Sequence, residues 1–106
     1  LANVYVATVA KAAKTDAVKA AVEGVKTVNA VDGKYADVQN AIAAAVQAAG
    51  NAAGGPGSNY TYAVDLGDTF DTIESGSARA IDCTVTVTGN DINNVTVELT
   101  VRIVVD

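Results

Sequence analysis

The sequence predicts an α+β fold: two helices packed on one face of an antiparallel β-sheet, with a helical N-terminal half and a β C-terminal half. Three observations predict it. The chain changes character near Gly54, from Ala/Val/Lys-rich before to Val/Thr/Asp alternation after. A Gly-Gly-Pro-Gly stretch, which suits neither helix nor central strand, marks the junction. The charge divides at the same point: residues 1–53 carry five Lys and four acids, residues 54–106 two Arg and eight acids. At 106 residues the length predicts a single domain. Residues 1–53 are its mainly helical layer, 54–59 a hinge too short to separate domains, and 60–106 the sheet.

Residues 3–9 are apolar and largely β-branched, and fit either a short strand or the first turns of a helix. From Ala10 to Glu23 the pattern is helical, with Val18, Val22 and Val25 at helical spacing and Gly24 as a stop in the left-handed conformation. Val25–Val31 fits a short strand, and Asp32-Gly33 is a turn signal. Tyr35–Ala49 is the clearest helix. Val38, Ile42 and Val46 form its stripe, Ala45 and Ala49 extend it, and Gly50-Asn51 ends it.

Beyond the hinge, Tyr60, Tyr62, Val64 and Leu66 alternate with Thr61 and Asp65, and Ile81, Cys83, Val85 and Val87, and Val95 through Ile103, alternate with polar residues. Period two over such lengths predicts strands with one buried and one wet face. Gly89–Asn93 joins the last two as a long hairpin. The wet face is Thr-rich, and Lys is absent after Lys34. The final strand is thus an edge with little to guard it, open to strand addition between subunits.

Half the residues are apolar, but most of those are Ala and Val, with one Phe and no Trp or Met. Small side chains bury little area each, so the core is thin, and oligomerisation would supply the missing burial. A net charge of −5 disfavours direct binding to nucleic acid or anionic membranes. No apolar run reaches the roughly 18 residues of a membrane span. A chain that starts at Leu1 without Met fits a processed start or a portion of something longer.

The catalytic inventory is sparse. The absence of His excludes Ser-His-Asp triads, Cys-His pairs and histidine metal sites. None of Ser58, Ser75 and Ser77 lies in a nucleophile elbow, and the Gly54–Gly57 stretch matches no phosphate loop. The lone Cys83 falls on the apolar side of its strand and reads as a core thiol, with an intermolecular disulfide as the sharper alternative. Asp65, Asp68, Asp71 and Glu74 recur every third residue and, if they converge, offer oxygen ligands for Ca²⁺ or Mg²⁺. A solvated acidic loop, with Leu66, Phe70 and Ile73 turned to the core, is the plainer reading. An enzyme using Asp68 and Asp71 as acid and base ranks last. Asn59-Tyr60-Thr61 and Asn94-Val95-Thr96 are glycosylation sequons, where composition predicts about one by chance.

Ala20-Ala21-Val22-Glu23-Gly24-Val25-Lys26-Thr27-Val28 resembles the helix-to-strand corner of small ferredoxin-like and BON-type domains. The resemblance is confined to that corner and implies no function.

The expectation is therefore a non-enzymatic, self-assembling structural protein without a cofactor: a virion component (capsid, decoration or tail) or an extracellular filament subunit. Its partners would be itself or other assembly proteins, with Val38, Ala45, Ala49, Val101, Ile103 and Val105 as candidate contacts. The alternative is a small binding module whose loop at 65–74 holds Ca²⁺ or a basic partner.

Overall fold

Two helices and four strands follow the order α1 (Ala2–Glu23), β1 (Thr27–Ala30), α2 (Tyr35–Gly54), β2 (Thr61–Asp65), β3 (Ala78–Thr88) and β4 (Val95–Val105). The computed structural model describes residues 2–67 and 70–106, with side chains from residue 9 onward. The fold is α+β as expected, and residues 3–9 belong to the first helix.

The strands form one sheet in the order β1-β4-β3-β2. β2–β3 and β3–β4 are antiparallel, and β1 adds to β4 in parallel. This corrects the expectation for the final strand. β4 is interior at its C-terminal end, flanked by β3 along its length and by β1 at Arg102–Val105, so the final residues of the chain are not a free edge. The alternation of β4 is clean because its inward side chains fill the core while Thr96, Glu98, Thr100 and Arg102 face water.

One hydrophobic cluster joins both layers: Val18 and Val22 of α1, Val38, Ile42 and Val46 of α2, and the inward residues of the strands. The α2 stripe is fully buried, as its spacing requires. Cys83 is buried within the same cluster, and burial pushes its thiol up.

Two helix ends differ from expectation. Gly24 is not left-handed; its N–H bonds the Ala20 and Ala21 carbonyls in a tightened last turn. α2 runs past Gly50-Asn51 and stops only where Gly55 takes a φ of 96°. The extension has a packing cause. A Cβ at Gly50 would strike the Tyr62 ring, and one at Gly54 would strike the Tyr60 hydroxyl and Ser58 Oγ. Two glycines one turn apart thus let both tyrosines lie against the helix backbone. Between them, Asn51 Oδ1 accepts from Tyr60 N–H at 3.2 Å and from Tyr62 Oη at 2.9 Å.

The segment after β2 crosses the end of the sheet. Ile73 N–H donates to Gly33 O at 3.0 Å, Gly76 N–H to Val105 O at 2.8 Å, and Val105 N–H to Ser77 O at 2.9 Å. Ile73 is buried, and Phe70 lies with its ring centroid 5.4 Å from that of Tyr35.

Candidate functional site

Two features remain uncommitted once the core is filled: a projecting helix and a cleft.

The molecule measures 57 × 25 × 17 Å. Strands of 11 residues account for about 36 Å of the long axis. The remaining length, about 20 Å, corresponds to roughly 13 residues of helix. α1 supplies them. It joins the body at Lys14 and Thr15, where the hairpin tip lies: Lys14 Nζ meets Asp91 Oδ2 at 3.0 Å, and Thr15 Oγ1 accepts from Asn93 N–H at 2.8 Å. The Lys14 ammonium holds the Asp91 carboxyl below its usual range, and the nearby Tyr60 hydroxyl assists without making a hydrogen bond of ordinary geometry. Upstream of Lys14, the described side chains Val9, Ala10, Lys11, Ala12 and Ala13 are all exposed, Val9 at 50%.

The cleft, of about 750 Å³, lies where β2 stops at Asp65 while β3 continues. Asp65, Leu66, Gly67 and Phe70 form one wall, Ala80–Thr84 of β3 another, and Glu98, Leu99 and Thr100 of β4 the remainder. The register explains why its acids gather. Asp65 pairs with Thr84, and Thr84 with Glu98, so these three share the outer face in one row. Asp82 stands beside them on the same face and accepts from Thr100 Oγ1 at 2.7 Å. Asp65 Oδ1 also accepts from Gly67 N–H at 2.8 Å. The polar side chains of the cleft are thus carboxylates and hydroxyls, suited to ammonium, guanidinium or backbone N–H donors. Its thiol, Cys83, is buried, and burial pushes it up.

The sequence-predicted residues divide differently. Of the four acids proposed for a metal, Asp65 lines this cleft, whereas Asp71 and Glu74 line a smaller depression with Arg79, and Asp68 lies outside the described residues. Among the described residues no three acidic or cysteine side chains gather as metal ligands would. Of the proposed contacts, Val38, Val101 and Ile103 are 0% exposed and Val105 1%. This corrects their assignment, because they are already spent on the chain's own core. Ala45 and Ala49 are half-buried, and Ala45 packs against that core. Sequence reasoning missed Asp82 and Glu98. Their signal was present, as charges among the outward threonines of two strands, but pairing was needed to place them beside Asp65.

Among the described residues no helix is long and apolar enough to cross a membrane. No family model matches this chain, and neither a curated protein nor a solved structure matches it.

Proposed function

We propose that this protein is a non-enzymatic structural subunit that assembles with copies of itself, as a virion component or an extracellular filament subunit does. The observation that carries this reading is the projection of α1 beyond the body. Turns that extend a packed helix into water are only propagated, each added bond gains little, and they fray without a neighbour. A neighbouring helix supplies the missing burial. The segment suits such contact: Leu1–Ala10 contains no charged residue, and Ala10, Ala12 and Ala13 permit close approach of two backbones. The core of small side chains adds a second reason for association. A second copy is the natural occupant, because each copy presents the same unsatisfied element.

Light scattering on the purified protein, with negative-stain images of the same sample, tests the reading. Species well above the 10.6 kDa protomer are expected. Val9→Asp together with Ala13→Asp should dissociate them, with loss in circular dichroism of no more than the helical signal of the freed turns of α1 and no loss of the sheet signal. A strictly monomeric protein across a wide concentration range would overturn the proposal.

A further inference from the structure

We propose that the open edge of β3 is a strand-addition site for an extended, basic segment of a partner protein. β3 pairs with β4 along Ala78–Val87, but β2 covers only Thr84–Thr88 of its other edge. Among the described residues no backbone hydrogen bond reaches Ala78–Cys83 from that side. Alternate residues of a strand direct their N–H and C=O groups to each edge, so this stretch presents unbonded donors and acceptors. The cleft lies against it, and its about 750 Å³ is within the range that takes a ligand.

Charge selects the occupant. Asp65, Asp82 and Glu98 line the cleft, and no Lys or Arg does. The one ion pair among the described residues is Lys14–Asp91, so these three carboxylates lack a cationic partner. Half-buried Phe70 adds apolar surface, beside the buried Leu66 and Ile81. A strand laid along β3 would turn alternate side chains to the two faces. Lys or Arg on one face would meet the carboxylates, small apolar residues on the other would meet Phe70, and the ladder would supply affinity. This inference is independent of assembly through α1.

The test uses the whole chain, labelled for amide NMR, and a short acetylated and amidated peptide of alternating lysine and valine. Saturable shifts confined to Ala80–Thr84 and their β4 neighbours are expected. A glutamate–valine peptide should cause none, and neither should a lysine–proline peptide, which cannot form the ladder. Neutralising the wall with Asp65→Asn, Asp82→Asn and Glu98→Gln should weaken binding about tenfold or more. Rising salt should weaken it on the unaltered chain, which keeps the test valid even if the triple variant folds poorly. Absence of shifts would overturn the proposal, as would binding indifferent to both salt and neutralisation. Amide exchange as slow as at Thr84–Thr88 at those amides of Ala78–Cys83 that face away from β4 would also overturn it, because the edge would then be filled by this chain or a second copy.

Discussion

Asn51 and Tyr62 meet through a hydrogen bond of 2.9 Å from the phenol to the amide oxygen, joining α2 to β2 across the Gly/Pro connection. The same oxygen accepts from Tyr60 N–H. Asn51 thereby fixes both the end of the helix and the start of the strand. Asn51→Ala should lower unfolding free energy by about 1–3 kcal/mol, since a half-buried donor loses its partner along with the bond. Urea denaturation of the dilute protein reads this directly. An unchanged midpoint would show that water replaces the amide without loss.

Gly50 and Gly54 decide between helix propensity and packing. Propensity alone predicts that alanine at a helical glycine stabilises by up to about 1 kcal/mol. Packing predicts the opposite, because the new Cβ would enter the space of Tyr62 or Tyr60. Tyr60 is buried, and its ring also lies where a Cβ at Gly89 would fall, so it has no room to retreat. Gly54→Ala should therefore destabilise by about 1–3 kcal/mol. Gly50→Ala should cost less, because half-buried Tyr62 can swing outward. Thermal melts of the two variants give the order, and stabilisation by Gly54→Ala would refute the packing argument.

These glycines also mark where the sequence ceases to be legible. The stripe of Val38, Ile42 and Val46 and the alternation of β3 and β4 were readable because burial leaves a period. Gly50-Asn51 reads locally as a stop, and only the tyrosines that follow turn it into a contact. Alternation assigns residues to faces and is silent on neighbours. It therefore placed Val101 and Ile103 correctly on the apolar side without disclosing that β1 and β3 flank their strand. The acids at 65–74 are evenly spaced along the chain, but the segment turns across the sheet end, so Asp65 parts from Asp71 and Glu74. The projection of α1 leaves no mark in the sequence, since it depends on where the hairpin tip meets Lys14.

The alkaline limb of stability should carry the signature of Tyr62. Burial, assisted by the neighbouring Tyr60, pushes its hydroxyl from 10.0 up to about 12. In the unfolded chain the phenol ionises near 10 while the folded one keeps its proton. The folded state then binds more protons, so stability falls as pH rises. The contribution is complete below the unfolded value and disappears progressively between about 10 and 12. Tyr62→Phe removes this slope along with the bond to Asn51. Denaturation midpoints across that window, compared between the two proteins, should converge as pH rises; parallel curves would mean that Tyr62 titrates normally.

Ile103 and Val9 make the sharpest pair for separating core from assembly. Ile103 is fully buried on an interior strand, and Ile103→Ala removes methylene groups from a core of small side chains that has little spare volume with which to refill the gap. A loss of about 2–5 kcal/mol is expected, at any protein concentration. Val9 is half exposed on the part of α1 that leaves the body, so Val9→Ala should leave the dilute protomer's midpoint nearly unchanged. If copies associate through α1, the same substitution lowers the midpoint of the concentrated protein, because binding of the folded state stabilises by mass action. Denaturation at several concentrations therefore separates the two cases. A Val9→Ala effect as large when dilute as when concentrated would place that side chain within the protomer's own fold.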